Sequence, residues 1–321
     1  MKVLVVGFSI TAEMPGYVEK AASLILPEEA LTLSKVGLGG LHPINIKYLF
    51  PSILRDHAPD VVILDHSTSS FRQFPLSREE YKSGLKSILR TCWEAKVQVG
   101  IFDLPRADVD YTDDWVVKYH EELSDKLSIS HCLAPIGEGL LRDVVHPTAL
   151  GHQLYAEALL QLVKRVGPIE ADADFFLGVP QYDAITVCSL ASDHYAREDF
   201  NRGGYSLPLV NIRAGDTLSL ALDAPARIYG VTSLMGPKTG YLKLDVEGRG
   251  RNVLSYDEHS YYNRLSVFSV AGGGAATFTS AQICITQTPE QPKVALLKGV
   301  ADTSARVGAI GHILIERDLT A

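Results

Sequence analysis

Asp143 stands three residues before His146, and Pro147-Thr148-Ala149-Leu150-Gly151-His152 follows at once. A carboxylate at that spacing can orient an imidazole and fix which ring nitrogen carries the proton. The other nitrogen is then left to act as a base. Such a pair needs a nucleophile, and Ser9 offers one, because Gly7-Phe8-Ser9-Ile10-Thr11 follows directly on the apolar run Val3–Val6. Attack on an ester also needs hydrogen-bond donors for the developing oxyanion. The backbone N–H groups of Ser9 and Gly40 are candidates, and glycine suits the second place because backbone must approach the substrate closely. The alternatives are plainer. Ser9 could cap a helix, Asp143 and His146 could cap the helix behind them, and Gly40 could be a tight-turn glycine.

These residues must be held by elements that the patterning predicts. Val3–Val6 reads as a strand buried on both faces, Leu31–Val36 as a second, Val61–Leu64 as a third, Val97–Phe102 as a fourth and Ile129–Leu133 as a short fifth. Helical spacing covers Pro43–His57, Arg78–Ala95, Trp115–Leu127 and Pro147–Val166. Strands alternating with helices, joined by right-handed crossovers, imply a three-layer α/β/α sandwich with a parallel sheet. Ligands bind beyond the carboxyl ends of such strands, where Ser9, Gly40, the Ser67–Ser70 stretch and His146 could meet. Asp103 and Arg106, flanking Leu104-Pro105 at the end of strand four, could border the pocket, but a solvated loop is the expected reading.

After Gly167-Pro168 the long amphipathic helices stop. Short β-rich segments follow: Ala184–Ser189, Leu207–Asn211, Thr217–Leu222, Arg227–Leu234, Tyr241–Val246, Leu265–Val270, Ala281–Thr286 and His312–Glu316. Their punctuation by Gly, Pro, Asn and Asp has the spacing of an all-β sandwich or barrel, and a jelly-roll-like sandwich is expected. Gly272-Gly273-Gly274 reads as a flexible turn. The expected boundaries are 1–168 for the α/β domain and 169–321 for the β domain.

Composition sets outer limits. The chain has 321 residues, 46% hydrophobic and 21% charged, with a formal net charge of -8. That is an ordinary soluble composition with no electrostatic footprint for nucleic acid. No apolar run is long enough to span a bilayer. The opening Met-Lys-Val-Leu-Val-Val-Gly is too short for a signal peptide, so a cytoplasmic protein is expected. Four scattered cysteines, Cys92, Cys132, Cys188 and Cys284, form no Cys-x-x-Cys pair, so neither a metal site nor a redox motif is expected.

The blocks resemble a known family. Gly7-Phe8-Ser9-Ile10-Thr11 is similar to the Gly-Asp-Ser-Ile-Thr block of the SGNH (GDSL-like) esterases and acyltransferases. Val36-Gly37-Leu38-Gly39-Gly40 is similar to the second block, with Gly40 the best match to its oxyanion glycine. Asp143–His146 with its continuation is similar to the last. The resemblance covers residues 1 to about 165. It implies a flavodoxin-like sheet, a Ser9-His146-Asp143 triad, no cofactor, and action on an O-acyl ester.

Two positions depart from the family. Phe8 stands where the first block has Asp. In the third block, Pro59–Ser70 aligns without a gap and puts Ser69 where an Asn donates to the oxyanion. A hydroxyl can donate too, but it reaches less far than an amide. Loss of one such donor typically costs about 10²–10³ in rate. Either Ser69, Thr68 or His66 substitutes, or the enzyme is slow, or the fold serves another use. His42, His66 and Thr68 are the candidate substrate-lining residues.

The leading expectation is a serine esterase or O-acyltransferase acting on an acylated carbohydrate or small-molecule ester. The rival is a catalytically weakened scaffold of the same fold serving glycan binding or assembly. Tyr241, Tyr256, Tyr261 and Tyr262 could stack on sugars. Equally, the β domain could pack against another copy in a homo-oligomer.

Overall fold

A computed structural model of the protein describes residues 1–69, 78–272 and 277–317. Ser70 and the glycine-turn residues Gly273 and Gly274 lie outside the described residues. The chain divides into two compact units: Met1–Ile44, Ile53–Val179 and Arg202–Tyr205 in one, and Asn45–Ser52, Pro180–Asn201 and Ser206–Ala321 in the other.

The first unit is built on five parallel strands: β1 (Lys2–Gly7), β2 (Thr32–Gly37), β3 (Val61–Leu64), β4 (Gln98–Asp103) and β5 (Ser130–Leu133). Their order is β2-β1-β3-β4-β5, the flavodoxin-like order with its reversal beside β1. Among the described residues, six α-helices accompany them: α1 (Ser9–Ala12), α2 (Tyr17–Leu24), α3 (Pro43–His57, of which Asn45–Ser52 counts with the second unit), α4 (Arg78–Glu94), α5 (Trp115–Leu127) and α6 (Ala149–Val163). The three-layer α/β fold expected from the patterning is present. The apolar runs are explained by burial on both faces. Val3, Val5, Val61 and Ile63 pack into one cluster with Tyr17 and Val18 of α2 and Tyr155, Leu159 and Leu162 of α6. Leu4, Val6, Val62 and Leu64, which alternate with them, are buried as well.

This order has a direct consequence for chemistry. Because β1 lies between β2 and β3, the segments leaving the carboxyl ends of these three strands are neighbours. They carry Gly40 and His42, Ser9, and Asp65–Ser69 respectively.

The second unit is all-β and antiparallel, as expected. Its strands are β6 (Gln181–Thr186), β7 (Ala196–Arg202), β8 (Tyr205–Arg213), β9 (Thr217–Met235), β10 (Tyr241–Val246), β11 (Arg249–Leu254), β12 (Arg264–Ser269), β13 (Phe278–Gln287) and β14 (Val307–Arg317). They run in the order β11-β10-β13-β9-β14-β8-β7, with β12 also paired to β9 and β6 to β14. Val210, Ile212, Leu218, Leu220, Ile228, Val231, Leu242, Leu244, Ile283, Ile285, Ile310 and Ile313 share its core.

Two expected strands, Thr217–Leu222 and Arg227–Leu234, are one nineteen-residue strand. Asp223-Ala224-Pro225 looks like a break, yet it is an interruption in pairing. The register with β13 shifts between Ser280 and Gln282, opposite the proline that has no N–H to give. Strands β7 and β11 were not expected. Both end the strand order, and their sequences, Ala-Arg-Glu-Asp-Phe-Asn-Arg and Arg-Gly-Arg-Asn-Val-Leu, are rich in charge, as edge strands commonly are. A two-residue turn with Glu247 at φ 54° and Gly248 at φ 78° joins β10 to β11.

Among the described residues, no helix is long and apolar enough to cross a membrane. The four cysteines are free thiols.

Candidate active site

Ser9 is the first residue of α1, two residues past the end of β1, and is partly exposed. The segment after β2 is folded against it. The Leu38 N–H donates to the Gly7 carbonyl at 3.0 Å, and the Leu41 N–H closes a turn on Leu38 O at 3.2 Å. Gly40 holds φ +85° in that turn, a conformation that favours glycine. Gly39 lies so close to the serine that a Cβ built there would fall 3.5 Å from Ser9 Cα and 3.6 Å from Ser9 Cβ. Gly37 has no such room: its Cβ would meet Ala12 N at 2.3 Å. Gly37 is therefore required by backbone packing against Thr11 and Ala12, and Gly40 by its positive φ, while Gly39 is in ordinary contact with Ser9.

Asp143 and His146 are held by their own loop. Leu141 bridges to Pro147, and the Arg142 N–H donates to His146 O at 2.9 Å. Asp143 Oδ1 accepts from the backbone N–H of Val145 at 2.9 Å and of His146 at 2.8 Å. The imidazole Nδ1 lies 3.0 and 2.9 Å from Asp143 Oδ1 and Oδ2. A carboxylate facing Nδ1 selects the Nδ1–H tautomer and leaves Nε2 as the acceptor. Partial burial acts to raise the Asp143 carboxyl, but the hydrogen bonds from His146 and Val145 outweigh it and hold the group below the usual carboxylate range.

Behind the loop, α6 is started by Thr148, whose Oγ1 accepts from the Gly151 N–H at 3.2 Å and donates to Gly139 O at 2.8 Å. A Cβ on Gly151 would fall 2.2 Å from Leu140 O. Thr148 and Gly151 of the sequence block thus serve the anchoring of the loop.

One clasp ties the serine's helix to this loop. Glu13, which ends α1, forms an ion pair with Arg142, and its Oε2 lies 2.9 Å from His152 Nε2. Arg142 also donates to Pro147 O at 3.0 Å. Lys35 Nζ, in turn, donates to the Glu13 carbonyl and pairs with Glu19 Oε1 at 2.6 Å. Sequence reading missed Glu13 and Arg142, because nothing in local spacing joins residues 129 apart.

The segment after β3 carries the candidate replacements for the absent asparagine. Ser69 is buried, and its Oγ lies 2.8 Å from His42 Nδ1 and 3.4 Å from Leu41 O. Burial holds the His42 imidazole below its usual pKa. Thr68 turns away and donates to Asp65 Oδ1 at 3.1 Å. Asp65 Oδ2 accepts from Thr11 at 2.9 Å, and the Tyr17 hydroxyl lies 2.9 Å from that threonine. Asp65 is fully buried beneath both α1 and the Thr68–Ser69 segment, and burial pushes its carboxyl up to about 7.

His66 is enclosed rather than open to solvent. It is 0% exposed, neither ring nitrogen has a hydrogen-bond partner, and the ring packs against Phe8 with centroids 5.6 Å apart. Burial pushes its pKa down to about 3. Phe8, one of the two departures from the resembled blocks, thus packs against a residue of the segment that carries the other, Ser69.

Asp103 and Arg106 are not on a solvated loop; both are buried. Asp103 accepts from His120 Nδ1 at 2.7 Å and His131 Nε2 at 2.8 Å, and His120 Nε2 meets the Tyr81 hydroxyl at 2.5 Å. Arg106 donates to Thr68 O at 2.7 Å and pairs with Asp108, while the Ala107 N–H donates to Val144 O at 2.7 Å. This segment joins the Ser69 region to the Asp143 loop. The sequence signal was the bulk of charge beside Leu-Pro, which reads as exposed unless its partners are known.

No protein-family model matches the sequence, and no curated protein matches it. Solved structures do. A two-domain esterase, CEX, active on acetylated mannans, superimposes with a TM-score of 0.64 at 10% identity, covering 99% of this chain and 91% of that one. The same kind of esterase co-crystallised with mannopentaose gives 0.65 at 11% identity, covering 100% and 92%. A lipolytic protein of the G-D-S-L family from Desulfitobacterium hafniense DCB-2 gives 0.43 at 17% identity, over 50% of this chain and 98% of that one. At these identities the likeness is one of fold. From end to end, the chain shares the fold of the two-domain esterase: a parallel α/β unit followed by an antiparallel β unit.

Proposed function

We propose that the protein is a serine carbohydrate esterase that removes acyl groups, acetyl foremost, from a polysaccharide or oligosaccharide. The observation that carries this reading is the Asp143–His146 pair, with Nδ1 on the carboxylate and Nε2 left as the base. Ser9, lying against the glycine turn of residues 38–41, would be the nucleophile that this base serves. In this reading Ser9 Oγ attacks the acyl carbon while His146 Nε2 takes its proton. Asp143 stabilises the imidazolium that forms. Backbone N–H groups of Ser9 and Gly40 receive the oxyanion, with Ser69 as the third donor. The imidazolium then protonates the leaving sugar oxygen, and water repeats the attack on the acyl-enzyme. A sugar hydroxyl in place of that water would make the same centre an acyltransferase.

The substrate class draws on the fold shared with an esterase active on acetylated mannans. Incubation with acetylated mannan and acetylated xylan, with released acetate measured, tests it directly. Fluorophosphonate labelling tests the nucleophile, since labelling of wild type and not of Ser9→Ala is required. If acetate release survives Ser9→Ala undiminished, this reading fails. The weakened-scaffold reading is favoured by one observation, the serine at position 69 with its hydroxyl on His42. It is upheld if neither labelling nor acetate release occurs.

A further inference from the structure

The β unit contains a cleft of about 550 Å³ that the esterase reading does not use. Its size lies in the usual range of small-molecule sites, about 300–1,000 Å³. Glu198, Asn211, Lys238, Tyr261, Tyr262 and Asn263 are among its lining residues. We propose that this cleft is a binding site for a short, neutral oligosaccharide.

The lining has the chemistry of a sugar site. Two tyrosine rings stand 5.1 Å apart at 60° to one another, and such rings offer apolar faces with a polar tip. The amides of Asn211 and Asn263 supply paired donors and acceptors for hydroxyl groups. Among the lining residues, the one carboxylate, Glu198, and the one ammonium, Lys238, offset one another. Asn211 Oδ1 is buried without a partner. An orphan acceptor at a cleft wall costs the free protein stability, and a ligand hydroxyl that reaches it recovers that cost.

The site is also pre-organised. Asp257 organises the segment before the tyrosines: its Oδ1 accepts from the His259 N–H at 2.9 Å, its own N–H donates to Ser260 Oγ at 2.9 Å, and its carboxylate pairs with Arg264. Arg264 lies 5.7 Å from the Tyr262 ring centre, and Lys298 Nζ lies 5.8 Å from that of Tyr261. Asn263 is seated because position 236 is glycine: a Cβ there would fall 2.0 Å from its Oδ1. Pre-set side chains lose little freedom on binding. Of the tyrosines in this stretch, Tyr256 is buried, at 2% exposed, and is core.

The proposal does not rest on the esterase reading, and its test needs no turnover. The full-length protein is titrated by calorimetry with ester-free mannopentaose, xylopentaose and cellopentaose. Wild type is expected to bind at least one of them, and Ser9→Ala to bind it equally. Tyr261→Ala and Glu198→Ala, both at exposed or partly exposed positions, are each expected to weaken binding about tenfold or more, with thermal midpoints showing that they remain folded. Binding of none of the three sugars overturns the proposal. So does binding that is unchanged in both variants.

Discussion

His42 Nδ1 lies 2.8 Å from Ser69 Oγ, so the residue at the position of the resembled family's asparagine shares its hydrogen bond with an imidazole whose pKa burial lowers. If Nδ1 carries the proton, it donates to Ser69, and the serine O–H can exchange its long 3.4 Å bond to Leu41 O for one to an oxyanion. If Nε2 carries it, Ser69 gives its proton to His42 and donates nothing. The esterase reading requires the first tautomer. Ser69→Ala is then expected to lower kcat on p-nitrophenyl acetate about 10- to 10²-fold with KM nearly constant, because the bond is made only in the transition state. Ser69→Asn is expected to keep or raise kcat. An unchanged kcat in Ser69→Ala would remove Ser69 from the oxyanion hole.

The Glu13–Arg142 clasp is expected to act on geometry more than on stability. Arg142 is about half exposed, at 51% for its side chain, and pairs of that kind contribute about 0–1 kcal/mol. Yet it joins the end of the serine's helix to the residue before Asp143, and small misplacements of reacting groups are costly. Arg142→Ala should therefore shift the thermal midpoint little while lowering kcat about tenfold. Arg142→Lys should recover part of that loss, since it restores the charge without the two-point fork. A fall in midpoint with no fall in kcat would show that the clasp merely stabilises.

Sequence reading recovered the elements whose apolar period is strong: the five parallel strands and four of the six α-helices among the described residues of the α/β fold. It missed α1 and α2, whose four and eight residues are too few for a clear period, and the two charged edge strands of the β unit. At the site, the pair Asp143–His146 was legible because its two members are three residues apart. The clasp, the Thr11–Asp65 bond and the Phe8–His66 contact were not. Each joins residues 54 or more apart in sequence, and their side chains meet only because β1 and β3 are neighbours or because α1 faces the Asp143 loop.

Phe8→Asp would restore the family's residue and is expected to damage the fold. Phe8 is 2% exposed and lies on the His66 ring. Removing a buried Phe side chain costs about 3–5 kcal/mol, and an unpaired buried carboxylate adds to it. Phe8→Leu, which keeps an apolar side chain, should cost much less. Urea midpoints decide between these outcomes. Equal stability of Phe8→Asp and wild type would show that the Phe8–His66 contact contributes nothing to the fold.

Asp65 and His66 should pull stability in opposite directions with pH. The Asp65 carboxyl, pushed by burial from an ordinary 3.8 to about 7, keeps a proton in the folded state that the unfolded chain has lost. Its stabilising contribution is complete below about pH 4 and is lost as pH rises through about 7, by about 4 kcal/mol at most. His66, pushed from 6.5 to about 3, does the reverse: the unfolded chain holds the extra proton, so stability is lost as pH falls from 6.5 toward 3. Between about pH 4 and 6.5 the two slopes offset one another in wild type. Asp65→Asn keeps one acceptor and gains donors for the two threonine hydroxyls, one of which must turn round to accept. The variant should therefore gain on wild type steadily from about pH 4 to pH 7 and level off above that. Thermal midpoints of both proteins at half-unit steps from pH 4 to pH 8 measure the difference. A difference that stays constant across that range would show that Asp65 is ionised throughout, with Thr11 and Thr68 sufficient to hold its charge.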